Sequence, residues 1–407
     1  MPYPPRTRTL RRVPADAAAV PDLLVALREA LTGAGPVLLP VRDAADLAEL
    51  DEPGAADLPG PDPAEDPTAL AVPTSGSTGM RKVALLPTSA VLASAAATHD
   101  RLGGPGRWLL ALPPRHVAGL QVLVRSLVAG TTPAVLDLAP GFAPDAFAAA
   151  AARVTGVRRY TALVPTQVAR LLAAGGAAVE ALAGFDAVLV GGAATPGPLA
   201  ERARAAGVRL VTTYGATETC GGCVYDGVPL DGVAVRIDDD GRIHLGGAVV
   251  ARGYLGGGAG GTLPSLSGDA DGVRWFRTDD LGAWDGTRLA VHGRADDVVV
   301  TGGLKVAPRP VEEALLRLPG VTEAVVVGVP DDEWGQRVAA AVVLAPGARA
   351  PSLADVRALV GAAVAPHAAP RRLAVLDALP LRGPGKPDRA AVAALLAAGA
   401  HDPEGGR

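Results

Sequence analysis

The run Thr74-Ser75-Gly76-Ser77-Thr78-Gly79-Met80-Arg81-Lys82 gathers hydroxyls, two glycines and a basic pair into nine residues. Glycine allows positive φ and close backbone approach, so the hydroxyls and N–H groups of such a loop can cradle phosphate oxygens. It is not a P-loop, which needs Gly, four residues, then Gly-Lys-Ser/Thr; here Lys82 stands three residues after Gly79. The plain alternative is a Ser/Gly hairpin loop, and the basic pair after the glycines argues against it. Tyr214-Gly215-Ala216-Thr217-Glu218-Thr219 follows a strand-like run. A sharp turn at the glycine would set Glu218 at the carboxyl edge of a parallel sheet, where α/β sheets bind ligands. A lone carboxylate there suits Mg²⁺, which takes one or two protein oxygens and fills the rest with water and phosphate. An acid at a helix N-terminus is the equal alternative. Thr278-Asp279-Asp280 and Gly293-Arg294-Ala295-Asp296-Asp297 offer carboxylates and an arginine on neighbouring turns, able to hold a ribose diol and reach phosphate. A turn Asp or a surface Arg is the plain alternative for either alone.

Of 38 basic residues only three are lysines, Lys82, Lys305 and Lys386, and all stand within a few residues of glycines. Where Arg supplies nearly every surface cation, a lysine points to a place that needs a compact, mobile ammonium. His116 follows Pro113-Pro114-Arg115 and begins a helical pattern with an inward apolar face, so it could line a pocket or simply sit in the core. Three features are discounted. Gly256 to Gly261 matches a dinucleotide fingerprint by letter but lacks the strand–helix context. Cys220 and Cys223 have metal-ligand spacing, yet no other cysteine exists and a zinc site needs four ligands. A redox pair is the lesser reading beside two passive thiols. His244 and His292 fall in strand-like runs and read as structural.

The elements that must position these residues follow from hydrophobic periodicity. Residues 1–67 hold one helix, Asp22 to Thr32, a strand from Pro36 to Val41, and a Pro/Asp/Gly loop from Asp51 to Pro67. From Ala69 short apolar runs (69–73, 81–86, 107–112, 132–136, 160–164, 187–190, 209–213) alternate with helical patterns (88–98, 119–128, 144–154, 166–173), which predicts helix-covered parallel sheets. Gly227 to Ala290 reads as an antiparallel β region rich in glycine. After Arg294 come a strand at 298–301, a helix at 310–318, a strand pair at 321–329 and 337–344, a helix at 353–364, a strand at 372–376 and a helix at 388–398. That is about one hundred residues of compact α+β, enough for an independent domain. The expected division is 1–295 and 296–407, with a frayed tail from His401.

Composition bounds the rest. Net charge is −4, from 38 basic and 42 acidic residues, which is a poor footprint for a nucleic-acid binder. Although 49% of residues are hydrophobic, no run of about 18 is free of Pro or charge, so no membrane span is expected. The apolar stretch near the N-terminus is broken by Pro21 and Asp22 and fails as a secretion signal. Two cysteines make no disulfide scaffold. A soluble, cytoplasmic globular protein is expected, with homo-oligomerisation left open.

In order, 74–82, 214–219, 278–280, 293–296, Gly302-Gly303-Leu304-Lys305 and Gly385-Lys386 resemble the motifs of the adenylate-forming superfamily, the acyl-CoA synthetases and their relatives. Arg115 to Arg125 and the short length make the o-succinylbenzoate–CoA ligases of menaquinone biosynthesis the nearest branch. The resemblance implies an α/β fold with a large N-terminal domain of helix-covered sheets, a β-rich subdomain and a small mobile C-terminal α+β domain. It implies ATP and CoA as co-substrates and Mg²⁺ as cofactor. Thr74, Ser75, Gly76, Ser77, Thr78, Gly79 and Lys82 would grip the β- and γ-phosphates, and Glu218 would hold the metal. Thr217 would touch the α-phosphate. Gly191, Gly192, Ala193, Tyr214 and Gly215 would frame adenine, and Asp280 with Arg294 the ribose. Lys386 would bridge the attacking carboxylate and the α-phosphate. The small domain would pivot at Asp296 and bring Gly302 and Gly303 to the thiol tunnel. For the acyl group, His116, Gln121 and Arg125 are candidates, Arg125 facing a second carboxylate; a structural cation is the alternative.

Two features depart from the family pattern. Only 73 residues precede Thr74, so the N-terminal part would be shortened. Thr-Asp-Asp replaces the commoner Thr-Gly-Asp, in which the acid is third; this favours Asp280 over Asp279. Two other activities stay open: another aryl- or acyl-CoA ligase or carrier-loading enzyme, and a catalytically silent nucleotide binder. The absence of a carrier domain after Lys386 weighs against carrier loading.

Overall fold

The structure is a computed structural model, and it describes residues 8–33, 35–42, 66–74, 82–255, 266–269, 271–381 and 387–398. Ser75, Gly76, Ser77, Thr78, Gly79 and Lys386 lie outside the described residues, as do the Gly256–Gly261 run and the tail from His401.

Strands Ala134–Val135, Arg107–Leu110, Arg159–Leu163, Ala187–Val190 and Leu210–Ala216 run parallel and form most of a seven-stranded sheet. Parallel strands buried on both faces read as unbroken apolar runs, and the side chains here divide by alternation. Trp108, Leu110, Ala187 and Leu189 join one core with helices Thr88–Arg101 and Val117–Val128. Leu109, Ala111, Val188 and Val190 join another with helices Pro144–Ala151, Pro165–Ala174, Gly176–Ala183 and Gly197–Ala205. Strand Gly221–Tyr225 then adds antiparallel to Leu210–Ala216, with a register shift between Gly222 and Val224.

A second sheet takes Leu10–Pro14, Val37–Val41, Thr68–Pro73, Val83–Pro87 and Gly253–Tyr254 in that order. Thr68–Pro73 and Val83–Pro87 pair antiparallel, and Thr74 N–H donates to the Lys82 carbonyl at 2.7 Å. The two ends of the glycine–hydroxyl run are therefore clamped together, as expected for a loop between strands. A third, antiparallel sheet holds Val233–Ile237, Arg242–Gly247, Leu266–Gly268 and Arg274–Trp284, with Leu289–Arg294 paired on Arg274–Trp284. It matches the β region expected from 227 but runs on to Arg294.

The fourth sheet orders Leu304–Val306, Val299–Thr301, Gly335–Leu344 and Val321–Asp331, with Arg372–Leu376 parallel to Gly335–Leu344. Val326 faces helices Pro308–Leu315 and Leu353–Ala363, while Val325, Val327 and Val329 face helix Arg389–Ala397. Both cores of this sheet are built only from residues beyond 298. No helix among the described residues is long and apolar enough to cross a membrane.

Several elements escape the periodicity, strands Gly221–Tyr225 and Leu304–Val306 among them, and one turn is misplaced. Strand Leu10–Pro14 buries only Val13 among arginines, so it carries no alternation strong enough to register. Helix Gly176–Ala183 buries only Ala178 and Leu182, and helix Gly197–Ala205 opens on glycine and proline. The sharp turn expected at Gly215 is not there, because the strand continues to Ala216. Gly215 is needed for close approach instead: a Cβ on it would lie 2.2 Å from the Gly221 carbonyl oxygen.

Candidate active site

Residues far apart in sequence converge where the first two sheets meet. Glu218 lies in the single turn Thr217–Thr219 between Leu210–Ala216 and Gly221–Tyr225, and the Ala216 N–H closes that turn on Thr219 Oγ1 at 2.9 Å. Glu218 is 8% exposed. Tyr254 O–H donates to its Oε1 at 2.8 Å, and Lys82 Nζ lies 5.4 Å from the centre of the Tyr254 ring. Lys82, Tyr254 and Glu218 thus form one cluster. Burial raises the Glu218 carboxyl above its usual range, against the Tyr254 hydrogen bond and the Lys82 charge. Tyr254 was invisible in sequence; a lone tyrosine in Arg252-Gly253-Tyr254-Leu255 carries no local signal.

Across the same strand, Tyr214 O–H donates to Asp280 Oδ2 at 2.8 Å. Burial, then the Asp280 charge, pushes the phenol well above its ordinary value. Asp280 is itself raised by burial, although Tyr214 and Arg294 oppose the shift. Asp280 stands directly opposite Arg294 in the strand pairing. Asp279 points the other way: its side chain is 65% exposed and pairs with Arg242 at 3.0 Å and Arg294 at 3.3 Å. Arg294 also grips Asp296 with Nε and Nη2 at 2.8 and 3.0 Å. Gly191 closes this wall from the next strand, since a Cβ there would lie 2.3 Å from Thr213 Oγ1. Gly192 follows at φ +77°, a backbone that favours glycine.

His116 precedes helix Val117–Val128 at its N-cap and is exposed. Nine residues later, Arg125 projects from the opposite side at 100° per residue, so the two do not share a face. The stripe that faces strand Gly221–Tyr225 is Val117, Gln121 and Arg125. A Cβ on Gly221 would stand 3.8 Å from Gln121 and 4.0 Å from Val117. Arg125 Nη2 lies 3.5 Å from Tyr225 Oη, and its guanidinium sits 5.2 Å from the Trp108 ring centre. Arg125 is 4% exposed, burial lowers its pKa, and no carboxylate among the described residues pairs with it. Gln121 Oε1, Arg125 Nε, His99 Nε2 and Trp108 Nε1 all lack hydrogen-bond partners among the described residues. Burial, then the Arg125 charge, lowers His99 to about 4. A buried cation, about 12 Å along the helix from Val117, and a group of orphaned polar atoms therefore lie behind the glycine-lined strand.

Other candidates stand apart. Gly302 and Gly303 turn between Val299–Thr301 and Leu304–Val306 at φ +55° and +79°. Gly302 packs on Trp334, where a Cβ would lie 2.4 Å from the indole. Cys220 and Cys223 are free and buried, and burial raises both thiols, Cys223 to about 12. That is the reverse of a reactive thiolate. His244 Nε2 meets Asp238 Oδ2 at 3.0 Å, a structural pairing. Among the described residues no group of three or more His, Cys, Asp or Glu could hold a metal.

Residues 15–255 match the AMP-binding enzyme family and residues 310–386 match the AMP-binding enzyme C-terminal domain. A probable 2-succinylbenzoate–CoA ligase of Mycobacterium tuberculosis (strain H37Rv) is 50% identical over 331 residues, which is 81% of this chain and 84% of that protein. The 2-succinylbenzoate–CoA ligase of Salmonella typhimurium is 35% identical, over 69% of this chain and 59% of that protein. Wild-type E. coli MenE with a bound m-phenylether-linked analogue of OSB-AMS superposes with a TM-score of 0.70 at 26% identity, covering 95% of this chain and 88% of that one.

Proposed function

The chain belongs to the AMP-binding enzyme family, and on that premise we propose that it is an ATP-dependent o-succinylbenzoate–CoA ligase of menaquinone biosynthesis. In the first step the succinyl carboxylate attacks the ATP α-phosphorus, the bond to the β-phosphate oxygen breaks, and pyrophosphate leaves an acyl-AMP. In the second the CoA thiol attacks the acyl carbon, loses its proton, and AMP departs. Neither step needs a covalent enzyme intermediate; positioning and charge neutralisation carry the catalysis.

The site residues divide by what they can do. Thr74 through Lys82 would hold the β- and γ-phosphates, with Lys82 anchored beside Tyr254. Thr217 would face the α-phosphate. Gly191, Gly192, Ala193, Tyr214 and Gly215 would frame the adenine plane. Asp280 and Arg294 are paired across two strands where a ribose diol could bridge them. Glu218 fits Mg²⁺, because its buried carboxyl is short of positive charge and Mg²⁺ needs only one or two protein oxygens. When bound, the ion would neutralise charge on the phosphates.

Lys386 and the Gly302–Gly303 turn belong to residues 296–407, the proposed mobile domain. Turning about Asp296 would present the lysine for adenylation and the glycine turn for thioester formation. His116, at the exposed start of its helix, would border the acyl entrance. Cytoplasmic placement follows from ATP and CoA being intracellular co-substrates.

The observation that carries the acyl assignment is Arg125, a buried guanidinium with no carboxylate partner among the described residues, at the inner end of the Val117–Gln121–Arg125 stripe. A monocarboxylate would leave it uncompensated. o-Succinylbenzoate brings a second, unreacted carboxylate able to meet it, with Gln121 alongside. Mass analysis of the product from ATP, CoA and o-succinylbenzoate tests this. Succinylbenzoyl-CoA with AMP is expected; equal turnover of plain benzoate would refute the narrow assignment.

A further inference from the structure

Tyr225 ends strand Gly221–Tyr225 and is 2% exposed, yet no step of the reaction above uses its hydroxyl. That oxygen lies 3.0 Å from Thr98 Oγ1 and 3.5 Å from Arg125 Nη2. Thr98 is fully buried on helix Thr88–Arg101, and its Oγ1 donates to the Ser94 carbonyl at 2.8 Å. Ser94 Oγ in turn donates to the Cys220 carbonyl at 3.2 Å, so the same helix is fastened beside both ends of the strand. A hydroxyl has one proton, and a carbonyl can only accept. The Thr98 proton is therefore committed to Ser94, and the 3.0 Å contact needs the phenol as donor. With its proton turned to Thr98, the phenol presents lone pairs to Arg125, whose guanidinium can only donate. The order runs one way, from Arg125 to Tyr225 to Thr98 to the Ser94 carbonyl. Trp108 also touches the guanidinium, but a ring face attracts a cation without fixing where its N–H bonds point. Arg125 Nε has no partner among the described residues, so the directional acceptor there is Tyr225. At 3.5 Å this bond adds little stability; its effect is on direction.

We propose that Tyr225, its proton drawn away by Thr98, is a positioning residue that aims Arg125 at the second carboxylate of the acyl substrate. This rests on the assignment of Arg125 above. Tyr225 acts through the guanidinium rather than on the reacting atoms. Its loss therefore weakens capture of an acid with two carboxylates and leaves the chemical step alone. A change that merely loosened the fold would cost acids with one carboxylate and with two alike.

Tyr225→Phe tests this, because it keeps the ring and removes the oxygen. Pyrophosphate release is measured with o-succinylbenzoate and with β-benzoylpropionate, which lacks the ring carboxylate. The ratio of kcat/KM for the first acid over the second should fall about five- to tenfold, carried by KM, with kcat held within about twofold. Thr98→Val removes the acceptor that orients the phenol and should lower the same ratio by less. Thr98→Ser, which keeps the hydroxyl, should restore it. Equal losses with both acids, tracking a lower melting temperature, would overturn the proposal, as would an unchanged ratio in Tyr225→Phe. An unchanged ratio in Thr98→Val would overturn the proton order on which it stands. If Tyr225→Phe does not fold, Thr98→Val gives the same comparison. Arg125→Met separates the two levels. If it leaves the ratio unchanged, the assignment of Arg125 itself fails. If it collapses the ratio while the Tyr225 and Thr98 variants do not, only the positioning role is lost.

Discussion

Replacing Arg125 by methionine should stabilise the free protein while disabling it toward its substrate. The guanidinium is 4% exposed, and among the described residues its Nε has no partner and its one side-chain hydrogen bond, to Tyr225, is long at 3.5 Å. An unpaired ion in a low-dielectric interior costs several kcal/mol. A desolvated cation–π contact with Trp108 returns about 2 kcal/mol, and a bond at that length returns little. The balance is unfavourable, and methionine fills similar space without charge. Stability should rise by about 1–3 kcal/mol, read as a melting temperature a few degrees higher. Toward o-succinylbenzoate the same change removes a buried charge-assisted contact worth about 3–4 kcal/mol, or 10²–10³-fold in kcat/KM. An analogue lacking the ring carboxylate has nothing to lose and should react equally with both proteins. The assay is a thermal melt beside pyrophosphate release with the two acids. A variant that is clearly destabilised yet keeps its kcat/KM for o-succinylbenzoate would show Arg125 to be a structural cation and refute the reasoning.

Three further outcomes are expected. Asp296→Pro fixes φ at the pivot and removes the Arg294 pairing; CoA transfer should suffer more than ATP–pyrophosphate exchange, and equal rates in stopped-flow traces would argue against a pivot there. His99 is lowered from 6.5 to about 4 by burial and by Arg125, so the fold prefers it neutral. Its contribution is complete above pH 6.5 and is lost as pH falls toward 4, and His99→Leu should flatten the melting temperature across that window. Glu218→Gln keeps an acceptor for Tyr254 and removes a carboxylate whose ionised form burial disfavours. Stability near pH 8 should hold while the Mg²⁺ needed for half-maximal exchange rises about tenfold or more, as for a lost charged ligand; an unchanged Mg²⁺ requirement in a titration would remove Glu218 from the metal site.

Local order was legible because it is written in local pattern. Apolar runs on either side of residues 74–82 located the strands that Thr74 and Lys82 close, and the 3.6-residue period placed Gln121 and Arg125 on one helix. Gly215 was expected to make a sharp turn, whereas it lies within a strand so close to its neighbour that a Cβ would stand 2.2 Å from the Gly221 carbonyl oxygen, which no neighbour in sequence reports. Asp279 and Asp280 show the limit most clearly. Successive residues of a strand face opposite sides, so which of the pair meets Tyr214 depends on how strand Arg274–Trp284 registers against Arg242–Gly247. Motif order and residue type sufficed for the family and its phosphate chemistry. Tyr254 on Glu218, the lack of a carboxylate partner for Arg125 among the described residues, and the Arg389–Asp297 ion pair were decided only in three dimensions, because burial and pairing are made by residues tens to hundreds of positions away.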